Sequence, residues 1–229
     1  MTGRSREKRL AAAHVATSKV RSNQTVGLGS GDTAAIMVEL LAERIRREHL
    51  ELTFVPSSLQ IALKAEAHSF NTVSLGTARR VDLTLDGCDE VDEELSLIKG
   101  GGGALVNERV LANLSGRYVV VAEEEKLSER IGRVSPVPVE VTQTAARHVL
   151  KTLEGIGLSG SLRTDPKGYP KLSENRNLII DFRAPPDWDP RETYGEVRVL
   201  PGVLDVGIFL DEAHEVVIGA EETRTLVRR

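Results

Sequence analysis

Apolar residues recur three and four positions apart over residues 33–47, where Ile36, Val38, Leu40, Leu41 and Ile45 mark an amphipathic helix. Residues 5–21 read as a helix as well. Short apolar runs at 25–28, 52–55, 81–85 and 118–122 are too brief for helices and read as strands; the last is apolar throughout. Ser57 with Gln60 forms a capping-box pattern that opens a further helix to about His68. Residues 104–114 form the helix before the fourth strand. Strands and helices therefore alternate through the first 130 residues, which predicts a parallel sheet covered by helices on both faces. In that architecture a ligand sits beyond the carboxyl ends of the strands.

The rhythm changes near residue 133. Residues 134–138 carry two prolines and read as a boundary. After them come a helix at 142–154, a strand near Ser161, a polar loop at 165–175 and a strand at 178–182. A proline-rich turn at 184–190 precedes a short helix, and one strand spans 203–210. This section reads as a smaller α+β unit. The last apolar strand, 215–219, is expected to rejoin the first sheet.

Composition narrows the function. The 229 residues suit one large domain or two small ones, and 40% apolar with 28% charged residues is an ordinary globular balance. Aromatics are only 3%, which argues against a base-stacking nucleic-acid platform. The net charge of −4 offers no overall attraction to DNA or anionic lipid. Cys88 is the single cysteine, so an intramolecular disulfide and a CxxC site are excluded and a reducing cytoplasm fits. No apolar run approaches the length of a membrane span. Arg4, Arg6, Lys8 and Arg9 precede a mildly apolar stretch, but His14, Lys19 and Arg21 make a basic amphipathic helix a better reading than a signal peptide.

Three loops can carry chemistry. Gly27-Leu-Gly-Ser-Gly-Asp-Thr33 joins a strand to a helix, so it is either a tight turn or a cradle of backbone N–H groups for an anion. Its spacing matches neither Gly-x-Gly-x-x-Gly, nor a P-loop, nor Gly-x-Ser-x-Gly. Asp86-Gly-Cys-Asp-Glu-Val-Asp-Glu-Glu94 packs six carboxylates into nine residues. Its Asp92–Glu94 end reads as solvated, whereas Asp86 and Asp89 follow directly on an apolar strand. The spacing is not that of an EF-hand, and no paired-histidine metal motif accompanies it. Cys88 reads as a small packed residue rather than a nucleophile. The third loop runs from Lys99 through Gly100, Gly101, Gly102 and Gly103, with Glu108 about one helical turn further on. Four glycines in a row are costly unless backbone must pass close to something.

In their order and spacing these motifs resemble ribose-5-phosphate isomerase, type A. The resemblance rests on Val26-Gly-Leu-Gly-Ser-Gly-Asp-Thr-Ala34, Val55-Pro-Ser-Ser58, Asp86-Gly-Cys-Asp-Glu90, Ile98-Lys-Gly-Gly-Gly-Gly-Ala-Leu105 with Glu108, Val121-Ala-Glu-Glu-Glu-Lys126, Pro138-Val-Glu140, Pro201-Gly-Val203 and Gly207-Ile-Phe209. It covers nearly the whole chain.

It implies an α/β fold, with a Rossmann-like parallel-sheet domain at 1–132 completed by 208–229, and an inserted α+β, ferredoxin-like domain at 133–207. It implies a cytoplasmic homodimer or homotetramer that uses no cofactor or metal and interconverts ribose 5-phosphate and ribulose 5-phosphate through an enediolate. By resemblance, Glu108 is the base that takes the C2 proton, Lys99 stabilises the enediolate oxygen, Asp86 and Asp89 hold sugar hydroxyls, and Asp89 opens the ring. Ser30, Gly31, Asp32 and Thr33 line the phosphate end with Arg9, Lys126 closes the site, and Gly87, Cys88 and Gly100–Gly102 complete the substrate contacts.

Asp32 departs from the family, which has serine or threonine there. Arg9 departs too, standing where a phosphate-contacting lysine is expected. A carboxylate facing a phosphate is repulsive, so Asp32 is expected to turn away and cap the helix near Thr33. The helix N-terminus and Lys99 lower the Glu108 pKa while exclusion of water raises it, and the sequence leaves that balance open. Three other functions fit some of these features: a non-catalytic sugar-phosphate sensor, an isomerase of another sugar phosphate, and a coenzyme A transferase with a glutamate nucleophile. The absence of a preceding helix-turn-helix and the presence of all four polar site residues favour the isomerase.

Overall fold

The computed structural model of the protein describes residues 3–228. Helix α1 (Gly3–Thr17) leads into strand β1 (Gln24–Leu28), α2 (Gly31–Glu48), β2 (Leu52–Pro56), α3 (Leu59–Ala67) and β3 (Leu83–Gly87). Two-residue strands β4 (Glu90–Val91) and β5 (Leu97–Ile98) follow, then α4 (Leu105–Leu114) and β6 (Tyr118–Glu123). The next section contains β7 (Val137–Val141), α5 (Ala146–Gly155), β8 (Ser159–Leu162), β9 (Leu178–Arg183), α6 (Pro190–Arg198) and β10 (Val203–Val206). Strands β11 (Ile208–Phe209), β12 (Glu215–Gly219) and β13 (Arg224–Val227) close the chain.

The main sheet has the order β13-β12-β6-β3-β1-β2 and is parallel except for its β13 edge. Strands β3, β6 and β12 are buried at every position, as expected where helices cover both faces. Helix α1 lies on β6 and β12 through Ala12, Ala13 and Ala16, small residues that let the helix approach closely. The chain leaves β1 toward β2 on one side, whereas β3 pairs on the other side of β1. The carboxyl ends of β1 and β3 therefore flank the reversal point, where α/β sheets bind ligands.

The second sheet is antiparallel, in the order β10-β7-β9-β8, with its own cluster of buried residues around Val139, Val149, Ile180 and Phe182. A small sheet, β11-β5-β4, draws β4 and β5 from between β3 and β6 and β11 from between β10 and β12, and it leads into Lys99.

Several sequence expectations are corrected. The α3 cap is Ser58, whose Oγ accepts from Ile61 N at 3.3 Å, and not Ser57. The two-proline stretch does not simply end a unit, because Pro138 lies inside β7 between β9 and β10; pairing with β10 stops at Val139, so its missing N–H leaves no gap there. Residues 203–210 form two strands, not one. The chain changes sheets at Gly207, where a Cβ would stand 2.1 Å from the Lys99 carbonyl oxygen. Asp92 is buried rather than solvated, its Oδ1 accepting from Glu94 N at 3.1 Å and Ser96 N at 2.8 Å to close a turn. Among the described residues no helix is long and apolar enough to cross a membrane.

Candidate active site

The reversal point holds a cavity of about 380 Å³. Three segments reach it from strand ends: Ser30–Thr33 after β1, Gly87–Asp89 at the end of β3, and Lys126 after β6. Lys99–Gly102 and Glu108 enter from β5 and the first turn of α4, and Arg9 from α1. Of the residues singled out in the sequence, Asp86 alone does not line the cavity; it lies directly beneath it.

Asp86 is fully buried. Its Oδ2 accepts from the Tyr118 hydroxyl at 2.7 Å and pairs with Lys99 Nζ at 2.9 Å, while Oδ1 accepts from Gly87 N at 2.7 Å and Ser30 N at 3.4 Å. With both oxygens engaged, it does not offer the expected contact to a sugar hydroxyl. Gly29 makes this packing possible, since a Cβ there would fall 1.8 Å from Asp86 Oδ1.

Lys99 is 2% exposed, and its ammonium also donates to the Gly87 carbonyl at 2.6 Å and lies 3.4 Å from Glu108 Oε2. Burial pulls its pKa down, but the charges of Asp86 and Glu108 outweigh burial and hold it above the ordinary lysine value. Glu108 is 3% exposed, and its Oε1 accepts from Ser30 Oγ at 2.6 Å. Burial, opposed by Lys99 and the Ser30 hydrogen bond, pushes its pKa up to about 7. Of the two opposing effects read from the sequence, desolvation is the larger. A carboxyl that titrates near neutral pH, beside a fixed ammonium, is suited to take and return a proton.

Asp89 is half-buried, with Oδ2 accepting from Gly101 N at 2.7 Å. Lys126 donates to the Cys88 carbonyl at 2.7 Å. The Cys88 thiol is buried and pushed up to about 12, mainly by burial, so it stays protonated and serves as packing. Arg9 is buried and paired with Glu123, whose other oxygen is 3.3 Å from Lys126 Nζ. Lys8 points elsewhere, to Glu124 at 3.2 Å and Glu125 at 2.9 Å.

Asp32 is not the cap that was expected. Ser30 occupies the N-cap position of α2 in extended backbone, and its side chain makes no cap bond because it serves Glu108. Asp32 sits in the first helical turn, exposed and lining the cavity. The helix dipole still favours its charge there.

Sequence reasoning missed two residues. Tyr118 begins a strand read as wholly apolar; a buried phenol needs a hydrogen-bond partner, and that was the available signal. Glu123 ends the same strand, where parallel sheets bind ligands, and it carries a charge at a buried position.

The fold and the site together define an α/β enzyme with a buried carboxyl held beside a lysine ammonium. Residues 53–223 match the family model for ribose 5-phosphate isomerase A (phosphoriboisomerase A). The chain is 39% identical over 219 residues to ribose-5-phosphate isomerase A of Thermomicrobium roseum, covering 95% of this chain and 92% of the relative. It superposes on the structure of ribose 5-phosphate isomerase A from Methanocaldococcus jannaschii with a TM-score of 0.91 at 35% identity, covering 97% and 99% of the two chains. A D-ribose-5-phosphate isomerase in complex with phospho-erythronic acid gives a TM-score of 0.93 at 34% identity and the same coverage. This chain belongs to the ribose 5-phosphate isomerase A family.

Proposed function

We propose that Glu108 and Lys99 carry the interconversion of ribose 5-phosphate and ribulose 5-phosphate, the activity that family membership gives this chain. The observation that carries the assignment is the buried Glu108 carboxyl, held 3.4 Å from the Lys99 ammonium, where burial raises its pKa above the ordinary carboxylate range. Glu108 takes the proton from C2 of the open aldose. The electron pair moves toward C1, the C1 carbonyl oxygen becomes anionic, and the Lys99 ammonium stabilises that charge. Glu108 returns the proton to C1, the charge on O1 is neutralised by a proton, and the O2 hydroxyl loses its proton to become the ketose carbonyl.

Asp89, half-buried at the cavity wall, opens the sugar ring and holds hydroxyls. Asp86 acts through Lys99, keeping the ammonium charged and aimed. Backbone N–H groups of Gly31–Thr33 at the start of α2 hold the phosphate, with Ser30 at the edge of the same loop and Arg9 and Lys126 supplying positive charge. The phosphorylated four-carbon acid in one related structure supports an anionic sugar-like ligand in this cavity.

The separate clusters of buried residues support reading 1–132 with 208–229 as one unit and 133–207 as an inserted one, with Ile98, Ile131 and Ile208 packing against the inserted unit where the two meet. The same reading includes assembly as a homodimer or homotetramer, which light scattering tests. A phosphorylated sugar substrate and a lone unpaired cysteine support a cytoplasmic setting. The functional test is turnover of ribose 5-phosphate without added metal, compared with other aldose phosphates. Turnover confined to another sugar phosphate would reassign the substrate.

A further inference from the structure

The glycine loop is gripped from outside the parallel-sheet unit. Arg163 follows β8 in the antiparallel sheet, and its side chain is 12% exposed. One edge of its guanidinium grips Asp181 of β9, with Nε 2.7 Å from Oδ2 and Nη2 2.5 Å from Oδ1. That bidentate pair fixes the plane of the fork. The remaining nitrogen, Nη1, donates to two consecutive loop carbonyls, Gly100 O at 2.8 Å and Gly101 O at 2.9 Å. The same unit reaches a third carbonyl, since Glu174 N donates to Gly103 O at 3.0 Å.

Holding carbonyls on one side dictates where the N–H groups go. In a planar trans peptide the C=O and the following N–H point in opposite directions. With Gly100 O turned to Arg163, the Gly101 N–H faces the other way, and there it donates to Asp89 at 2.7 Å. By the same geometry, Gly101 O on Arg163 turns the Gly102 N–H away from the guanidinium, toward the cavity that Gly102 lines. Gly102 stands beside the base, since a Cβ built on it would be 3.4 Å from Ser30 Oγ, which is hydrogen-bonded to Glu108. A lysine could not do this job, because a point charge on a flexible stem lacks the fork that binds a carboxylate and two carbonyls at once.

We propose that Arg163 is a positioning residue that orients the Gly100–Gly102 peptides, so that the Gly102 N–H donates to the substrate oxygen that turns anionic while Asp89 stays anchored by Gly101. This deepens the isomerase reading and rests on it. It also gives the antiparallel unit a part in the reaction without a side chain of its own at the reacting carbons.

Arg163→Ala and Arg163→Lys are assayed with ribose 5-phosphate alongside wild type, with melting curves for each. Losing one preorganised oxyanion donor commonly costs roughly 10²–10³ in kcat. A loop that is loosened rather than deleted is expected to lose at least about tenfold in kcat, with KM changed much less. Free guanidinium ion at millimolar concentration is expected to restore part of the Arg163→Ala kcat, and methylammonium none of it. If the alanine variant does not fold, the lysine variant carries the test: native melting with a kcat loss of about tenfold supports the clamp. Wild-type kcat in either folded variant overturns the proposal. So does a loss confined to stability, with kcat per folded molecule unchanged. A wild-type protein that does not turn over ribose 5-phosphate would instead remove the isomerase reading beneath it.

Discussion

Ser30 Oγ donates to Glu108 Oε1 across 2.6 Å, tying the N-cap position of α2 to the first turn of α4, 78 residues apart. The bond withdraws Ser30 from capping its own helix and gives it to the buried Glu108 carboxyl. It favours the ionised form, so it opposes the burial that raises the Glu108 pKa.

Ser30→Ala should therefore move the acidic limb of the pH–kcat/KM profile upward from about pH 7, the value at which burial and its opponents now balance. Activity well above that limb should fall much less than activity at pH 6.5. An unchanged limb would mean that a group other than Glu108 titrates there.

Stability should carry the same signature. The folded-state pKa of Glu108 lies above its unfolded value, so the native state holds the proton more tightly. The protein therefore loses stability as pH rises from about 4.5 through about 7. At one pKa unit per 1.36 kcal/mol, the loss is at most about 3–4 kcal/mol. Denaturant unfolding of Glu108→Gln should lack this decline, and a decline of equal size in both proteins would contradict the buried ionisation.

Tyr118→Phe removes only the hydroxyl beneath Asp86. The Tyr118 pKa is held well above its ordinary value, first by burial, so the group remains a donor at every working pH. Without it Asp86 draws harder on Lys99, which relaxes its hold on Glu108. The expected result is a cost of about 1.5–3 kcal/mol in stability, a lower kcat, a nearly constant KM and an acidic limb moved upward. Wild-type kinetics at reduced stability would leave Tyr118 a packing residue.

Asp32→Ser tests the phosphate end. An exposed carboxylate about 4 Å from a phosphate charge costs about 1 kcal/mol in water, which is about fivefold in binding. The variant should lower KM for ribose 5-phosphate by no more than that and leave kcat alone. A fall of a hundredfold would mean that the wild-type loop rejects phosphate and that the natural substrate is another sugar.

The main sheet was readable because buried parallel strands are nearly unbroken apolar runs, such as Val119–Ala122 in β6 and Val216–Ile218 in β12. The glycine and carboxylate loops stood out because they break those runs at strand ends. Strands β4 and β5 did not, since two residues are too few to show a period. Tyr118 was hidden for a different reason. It pairs with Thr84, so its side chain lies on the face shared by Asp86 two residues on, and that register exists only once β3 and β6 are aligned. The role of Ser30 was obscured by the glycine loop around it, which placed it at the phosphate end, while the hydroxyl's partner, Glu108, lies 78 residues away.

As the proposed base, Glu108 moves the proton between C2 and C1. Wild type and Glu108→Gln, each shown folded by its melting curve, are incubated with ribose 5-phosphate in deuterium oxide, and carbon-bound deuterium is followed by proton NMR. A buried base that exchanges with solvent during turnover predicts ribulose 5-phosphate carrying deuterium at C1 from the wild type. The variant should be slower by roughly 10²–10⁴ or more in both turnover and incorporation. Turnover and deuterium incorporation by Glu108→Gln at the wild-type rate would contradict the account.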